Sequence, residues 1–519
     1  MDADIEEKRR VVIPRWRDFK TTLALGELHS TNPHREQLAG QGSLEEQLAD
    51  WESNKSLAFA TDLVGSGFVL GQGNLAREAA EFIVSIPHST TLQKRIARQV
   101  KDPNFCPQLS VTDDIVNSSS GQIVGQSKEL VRKYRALLRN APRNPVRLVE
   151  LSRQYAILGS LPKAIRTMDI ALGLAPTNRF IVRSAARLLV HAGELDKAHY
   201  ILRKAPSLRY DPWLLAAEIA IASMKEEKSS HIRLGMRTVE DANYSPFELS
   251  ELSSALATLE MESANSKLAR RLFRQALRKP TENSIAQAEW ASRSMQSLVG
   301  EVGRSNAPRN FEAPAWSYFQ KGEWTNALSQ GTNWILDQPF SIAPVVFAGI
   351  VASIMENFYL AEDIYRFGLA ANPGNSTLTN NLAFVLASNN EPELAEAELE
   401  KLDRGSLKIE TRIAATATEG LIRFRRGFFT EGRALYIRAI QLAQENSKQN
   451  YVFRGLVYLA REEILARSEV AEQSLESAEK EEKEAKSSEH DHELGALLKK
   501  LRVLLNTSKT QGISVNSPQ

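Results

Sequence analysis

One cysteine and eight histidines are the side chains in this sequence that could act as nucleophiles or hold a metal. Cys106 is followed by Pro107 and has no neighbouring base in the sequence, so the pattern does not indicate a nucleophile. The histidines form no H-E-x-x-H zinc motif, and the closest pair, His490 and His492, lies in a charged stretch. A single thiol also cannot build a cysteine zinc cage. We therefore expect no catalytic residue, no metal and no cofactor.

Basic and aromatic side chains crowd together near the N-terminus, in the run Arg15, Trp16, Arg17, Phe19 and Lys20. Such a run can bind nucleic acid, because cations neutralise phosphates and aromatic rings stack on bases. Trp and Arg are also enriched at the hot spots of protein interfaces. We interpret Trp16 and Arg17 as docking residues, with packing at a helix end and nucleic-acid binding as the alternatives.

The overall charge and hydropathy exclude several classes of partner. The chain has 65 Lys and Arg against 63 Asp and Glu, a net charge of +2, so no global field attracts it to nucleic acid or to anionic membrane. The longest apolar stretch, Ala343 to Met355, is shorter than the roughly 18 to 20 residues of a membrane span. With no targeting segment and a single cysteine, we expect a soluble cytoplasmic protein without membrane contacts.

The elements that must position any site are helices. The stretch NPVRLVELSRQYAILGSLPKAIRTMDIALGLAPTN has apolar residues at three- and four-residue spacing in two runs, which predicts two amphipathic helices. Gly159, Ser160 and Pro162 interrupt the two runs and predict a turn between the helices. Pro176 ends the second helix. Small residues recur at a fixed distance, because Ala198 follows Ala164 by 34 residues and Ala395 follows Ala361 by 34.

With Pro145 as its first residue, this unit resembles the tetratricopeptide repeat, a helix–turn–helix of 34 residues. The resemblance extends over about residues 128 to 465, and a non-repeating helical bundle is the alternative. One departure is Ser152, which stands where the repeat usually has glycine. The resemblance implies that the recurring alanines Ala164, Ala198, Ala361 and Ala395 are buried where helices cross.

The resemblance implies an all-α fold, a helical-hairpin solenoid or superhelix with a divergent helical N-terminal region. We predict five segments: a divergent N-terminal region (1–101), a linker (102–126), the repeat array (127–466), a charged and leucine-rich C-terminal helix (467–506), and a disordered tail (507–519). A break from Ser297 to Pro314 interrupts the array. The leucine stripe from Leu494 to Leu505 predicts a cap on the last repeat, with a coiled-coil contact as the alternative.

The resemblance also implies a groove, formed by the first helix of each pair, that binds an extended peptide or a helix of a partner. Carried onto two adjacent repeats of this sequence, the contact positions of that family fall on five residues: Glu150, Arg153, Arg183, Arg187 and His191. Three converging arginines suit an acidic segment or a C-terminal carboxylate, although they could instead pair with neighbouring acids. In a later repeat the same positions hold Asn380 and Asn381, whose amides can hydrogen-bond a peptide backbone.

These features predict a non-enzymatic scaffold or adaptor that binds a protein or peptide partner and helps to assemble a multiprotein complex. An RNA-binding helical-repeat protein is the first alternative. An enzyme with an unrecognised catalytic region in residues 1–125 is the second. The sequence does not define the oligomeric state.

Overall fold

The computed structural model describes residues 11–28, 44–69, 73–87, 89, 93–94, 97–98, 120–241, 243–484 and 492–513. Throughout these residues the regular elements are helices, which confirms the predicted all-α fold. The chain divides into two compact units, an N-terminal unit from Arg9 to Ala313 and a C-terminal unit from Pro314 onward. Their boundary lies at the end of the predicted break in the array.

The N-terminal unit begins with an extended stretch that leads into α1 (Phe19–Ala24). The Asp18 side chain caps this helix by accepting a hydrogen bond from the Thr21 N–H at 2.9 Å. Three further helices form a small cluster with a core of its own, around Trp51 and Leu63: α2 (Leu44–Ser53), α3 (Leu57–Val69) and α4 (Gly73–Ser85).

The repeat array of the N-terminal unit starts with a long helix and continues in helical hairpins. The helices are α5 (Ser120–Asn140), α6 (Pro145–Ile157), α7 (Leu161–Leu174), α8 (Arg179–His191), α9 (Leu195–Lys204), α10 (Pro212–Met224), α11 (Ile232–Glu240), α12 (Ser250–Glu262), α13 (Ser266–Ala276), α14 (Glu282–Ser292) and α15 (Val299–Val302). The first helices of the hairpins are α6, α8, α10, α12 and α14. Buried apolar side chains from Val182 to Leu298 form one continuous core.

Local sequence signals explain where these helices begin and end. Asn144 and Asn178, 34 residues apart, cap α6 and α8 by accepting hydrogen bonds from backbone N–H groups. Gly159 and Gly193, also 34 apart, follow the same helices with φ angles of 67° and 76°. This left-handed conformation favours glycine because a Cβ atom would be strained there. The 34-residue spacing predicted from the sequence is therefore present in the structure.

The C-terminal unit continues the hairpin pattern. Its helices are α16 (Glu312–Gln320), which spans the boundary between the units, α17 (Trp324–Asp337), α18 (Ile342–Ile354), α19 (Phe358–Ala371), α20 (Ser376–Ser388), α21 (Pro392–Leu399), α22 (Ile409–Arg425), α23 (Phe429–Glu445), α24 (Gln449–Leu465), α25 (Ala471–Glu484) and α26 (His492–Ile513). The four recurring alanines, Ala164, Ala198, Ala361 and Ala395, are fully buried, which confirms the prediction for them.

The C-terminal end of the array is covered as the leucine stripe predicted. Leu494, Leu498, Leu501 and Leu505 of α26 are buried in one cluster with α24 and α25. The structure describes two helices here, α25 and α26, where the sequence pattern predicts one. A second helix that returns along α25 lets the stripe cover the last repeat.

Two predicted boundaries differ from the helices, since α5 begins at Ser120, inside the predicted linker, and α26 continues to Ile513, inside the predicted tail. The remainder of the linker, with Cys106, lies outside the described residues, as do His490 and residues 514–519. Among the helices in the described ranges, none combines the length and hydrophobicity that a membrane span requires.

Candidate functional site

The first helices of the N-terminal unit form a groove that holds the protein's own N-terminal segment, residues 11–28. Trp16 of this segment is completely buried, and Val12, Arg17 and Leu28 are buried as well. The segment contacts α6 through Arg153, α8 through Arg179 and α14 through Asn283. We call this surface the groove.

Four groove side chains hydrogen-bond the main chain of the segment. The Asn283 amide donates to the Ile13 carbonyl at 2.8 Å, and the Arg153 Nε donates to the Trp16 carbonyl at 3.3 Å. The Phe19 N–H donates to a Glu150 carboxylate oxygen at 2.6 Å. The Arg179 guanidinium donates to the Glu27 carbonyl at 2.7 Å. The groove therefore binds main-chain atoms along the whole segment, from Ile13 to Glu27.

At one end of the groove, carboxylates receive the two arginines of the segment. The Arg17 guanidinium donates to Glu282 at 2.8 Å and also lies 3.3 Å from Glu27 of its own segment. Arg15 pairs with Glu312 and lies 3.8 Å from Glu282. All of these side chains are largely withdrawn from solvent. This end of the groove selects positive charge.

The Glu27 carboxylate of the segment lies between Arg17 and Arg183. Glu27 lies 3.6 Å from the Arg183 guanidinium, which also donates to Glu251 at 2.8 Å. Arg179 pairs with Asp211 at 2.7 Å while it binds the Glu27 carbonyl. Arg179 and Arg183 therefore have acidic partners in the groove itself, and Glu27 adds a further carboxylate to Arg183.

Aromatic rings contribute both to the binding of the segment and to the groove itself. The Phe19 ring meets the Phe180 ring of α8 edge-on, with centroids 5.3 Å apart. The Arg183 guanidinium lies 4.7 Å from the centre of the Trp213 ring, which fixes its orientation by a cation–π contact. Trp16 and Phe19 therefore add apolar burial to a groove that is otherwise charged.

Burial shifts the ionisation of several groove residues. It raises the pKa of both Glu27 and Glu150 to about 7, because removal from water disfavours the charged carboxylate. Burial together with the neighbouring Arg15 lowers the pKa of Arg187 to about 9. For His191, burial and Arg187 lower the pKa to about 3, so this imidazole is neutral at physiological pH.

The structure brings the three predicted groove arginines to the same bound segment. Arg153 contacts Trp16, Arg183 contacts Glu27, and the Arg187 side chain is buried on the same helix, α8, one turn after Arg183. For Arg183 the predicted alternative also holds, because it pairs with the neighbouring acid Glu251. Binding of a separate partner by these arginines stays a prediction.

Trp16 and Arg17, predicted as docking residues, are docked within the same chain. Asn380 and Asn381 are completely buried between α20 and α22. The Asn380 amide donates to Asn381 at 3.3 Å, and the Thr418 hydroxyl donates to Asn380 at 3.0 Å. In this structure the two asparagines therefore hold helices together, and their binding to a partner stays a prediction.

The predicted contact positions do not include the groove residues Glu251, Glu282 and Asn283. A signal for Glu251 exists, because it follows its partner Arg183 by 68 residues, twice the repeat length. Opposite charges at equivalent positions two repeats apart would have indicated this ion pair. Glu282 and Asn283 carry no such signal, since their partners lie in a segment outside the repeats.

A buried carboxylate, Glu218, and a cavity beside α26 lie outside the groove. Buried Glu218 accepts a hydrogen bond from Ser229 at 2.6 Å and lies 2.9 Å from His199 and 3.2 Å from His231, which ties the turn after α10 to α9. In the C-terminal unit, a cavity of about 170 Å³ lies beside α26 and is lined in part by Tyr458 and Arg461. Within the part of the chain that the structure describes, no group of three or more His, Cys, Asp and Glu side chains could hold a metal.

The sequence matches no family model and no curated protein. Among solved structures, it is similar to the Cut9–Hcn1 hetero-tetramer of the APC/C, at 12% identity over 90% of this chain and 94% of that chain, with a TM-score of 0.38. It is also similar to human IFIT1 with PPP-AAAA, at 16% identity over 76% of this chain and 96% of that chain, with a TM-score of 0.36. A tetratricopeptide repeat protein from Parabacteroides merdae is 13% identical over 59% of this chain and 96% of that chain, with a TM-score of 0.25.

These likenesses concern the helical architecture alone. The hairpins, the 34-residue spacing of caps and turns, and the buried alanines define the class of this protein as an all-helical repeat protein whose units resemble the tetratricopeptide repeat.

Proposed function

We propose that this protein is a non-enzymatic, cytoplasmic scaffold or adaptor that binds a partner protein in the groove and helps to assemble a multiprotein complex. The observation that supports this most is the set of four hydrogen bonds from groove side chains to the main chain of the N-terminal segment. Main-chain atoms are common to all polypeptides, so such contacts give affinity for an extended peptide while the side-chain contacts give specificity.

The residues proposed to contact a partner are those near the bound segment. Arg153 would bind a main-chain carbonyl, as it now binds that of Trp16. Arg183, with Arg187 one turn further on, would receive a carboxylate at the place where Glu27 now lies, which supports a partner with an acidic residue. In the C-terminal unit we keep Asn380 and Asn381 as candidates, where a partner's main chain would replace their present hydrogen bonds.

Position-specific crosslinking in the native cell tests this function. A photoreactive phenylalanine analogue at His191, which follows Arg187 by one turn on α8, should capture a partner protein. The same analogue at Arg203, an exposed residue of α9, is the matched control and should capture none. Equal capture of the same proteins at both positions would contradict binding in the groove.

RNA binding is the competing function. The arginines Arg179 and Arg183 already pair with Asp211 and Glu251, which reduces their attraction for phosphate. We therefore expect weak retention on heparin, and a crosslinked product at position 191 that resists ribonuclease. Retention that falls steeply with salt, with ribonuclease-sensitive crosslinks, would favour RNA. An enzyme remains the third class, and its activity would be expected to follow residues 1–125.

A further inference from the structure

The N-terminal segment has the contacts of a bound ligand. Its partners in the groove lie 131 residues away for Phe19 and 297 residues away for Arg15. The stretch before α1 has no regular structure of its own, and groove side chains bind its main chain. The segment is thus bound to the repeat array in the way that a peptide from another chain would be bound.

The charge pattern of the groove defines the chemistry of its occupant. Glu282 and Glu312 face Arg15 and Arg17. Glu27 lies between Arg17 and Arg183, and Arg183 also pairs with Glu251. An occupant without the two arginines would leave the buried Glu282 carboxylate without the cations that it now pairs with, which is costly. With the arginines in place, a carboxylate at the position of Glu27 pairs with both Arg17 and Arg183.

The same charges support an exchangeable occupant. Both members of a buried ion pair lose hydration, so the pair recovers little net free energy compared with apolar side chains of similar size. A permanently packed segment would gain more from apolar contacts. Charged contacts instead select among competing segments, because a wrong pattern leaves charges unpaired.

We infer that the groove exchanges its N-terminal segment for a segment of a partner protein with the same chemistry: two arginines that flank an aromatic residue, followed ten residues after the second arginine by a carboxylate. This inference rests on the proposed function and adds the partner's charge pattern to it. The attached segment then keeps the groove closed until a partner segment competes with it.

A labelled synthetic peptide of residues 11–28 is the probe. In the wild-type full chain the attached copy competes at a high effective concentration, so the peptide should bind weakly. In the full chain with Trp16→Ala and Arg17→Ala, the attached copy is weakened, and the peptide should bind at least about ten times more tightly by fluorescence anisotropy. Equal binding to both chains, with the variant folded by circular dichroism, would overturn the inference.

Two altered peptides test whether the binding is specific. A peptide with Arg17→Ala should lose its affinity for the variant chain, because it cannot pair with Glu282. A peptide with Lys20→Ala is the matched control and should bind as the unaltered peptide does, because Lys20 is exposed. If both altered peptides bind equally well, the inferred charge pattern is wrong.

A second measurement does not depend on the folding of the variant. Trypsin cleaves after Arg15 and Arg17 only when the segment leaves the groove. Excess peptide in which both arginines are replaced by homoarginine, which trypsin cleaves slowly, should increase this cleavage in the wild-type chain, as measured by intact mass. No increase up to millimolar peptide would overturn the inference. A shift from dimer to monomer on peptide addition would also overturn it, because the occupant would then be a second copy of this chain.

The outcomes separate the inference from the proposed function. If the peptide never enters the groove while crosslinking at position 191 still captures a protein, the function stands and the exchange fails. If the peptide exchanges as expected while no protein is captured at position 191, the groove chemistry stands and the scaffold function fails.

Discussion

The carboxyl group of Glu150 lies where the N-terminal segment meets α6. The Phe19 N–H donates to one of its oxygens at 2.6 Å, and the Tyr134 hydroxyl lies 3.4 Å from the other. Burial raises the pKa of Glu150 from 4.5 to about 7, and the nearby Asp18 carboxylate acts in the same direction, while Arg153 acts against them. This group therefore holds a proton in the folded protein at a pH where it has lost it in the unfolded chain.

The difference in the pKa of Glu150 between the folded and unfolded states predicts how stability changes with pH. Between pH 4.5 and about 7 the folded state binds more protons at Glu150 than the unfolded state does. Stability from this group is therefore full below pH 4.5 and is lost as the pH rises to about 7. Urea titrations across this pH range should show that the free energy of unfolding of the wild type falls by up to roughly 3 kcal/mol relative to that of Glu150→Gln. Parallel curves for the two proteins would contradict the raised pKa.

For the N-terminal segment, the sequence predicted which residues dock but not the residues that they contact. Trp16 and Arg17 were recognisable as docking residues from their composition alone. The Glu282 partner of Arg17 is 265 residues away, and no periodicity links a single segment to a distant helix. Such a contact is decided by the assembled groove, which local patterns do not describe.

Among the helical elements, close approach between α18 and α19 depends on Gly349. A Cβ atom at this position would lie 2.4 Å from the Tyr365 ring, which is itself completely buried. The position of Gly349 in the repeat is the one that the tetratricopeptide pattern reserves for a small residue. The glycine therefore allows the ring to fill the space between the two helices.

Gly349→Ala should destabilise the protein by about 1 to 3 kcal/mol, because the added methyl group overpacks this contact. The matched control is Gly173→Ala in α7, where an added Cβ meets no atom within 4 Å. The control should stabilise its helix by up to about 1 kcal/mol. Free energies of unfolding from urea titrations measure both changes. Equal effects of the two substitutions would show that the α18–α19 contact is not as described.

The packing of the C-terminal helix α26 leads to a second prediction about stability. Leu498 is buried against the last repeat, whereas Val503 on the same helix is 65% exposed. Leu498→Ala should cost about 2 to 5 kcal/mol, and Val503→Ala should change stability by less than about 0.5 kcal/mol. Deletion from Glu493 onward should expose the last repeat and promote aggregation, as light scattering would show. A soluble deletion of unchanged stability would contradict the cap.

The elements themselves were largely predictable because their signals are local. The sequence alone predicts the buried alanines at the helix crossings, the turn at Gly159 and the leucine stripe. The division of the predicted C-terminal helix into α25 and α26 could not be predicted from the sequence. Charged residues with helical spacing continue through the region after α25 and give no signal for a turn. The leucine stripe can be buried against α24 only if the chain reverses direction, and this depends on tertiary contacts that a local pattern does not contain.

In the whole molecule, the groove belongs to the N-terminal unit, and the N-terminal segment bound in it is part of that unit's buried interior. The repeat resemblance predicted the array and the face on which binding would occur. It did not predict that the chain supplies its own occupant, because the segment lies outside the repeats. The missed groove acid Glu282 has the same cause, since it is recognisable as a partner only once Arg17 is in place.

A double-mutant cycle between Arg17 and Glu282 tests most directly whether the segment occupies the groove. The two side chains are 2.8 Å apart and buried, so the effects of Arg17→Met and Glu282→Gln on the free energy of unfolding should not add. We expect a coupling of at least about 1 kcal/mol. The control pair, Arg17→Met with Glu240→Gln at a surface position, should be additive within about 0.5 kcal/mol. Additivity in the Arg17–Glu282 cycle as well would contradict the occupied groove.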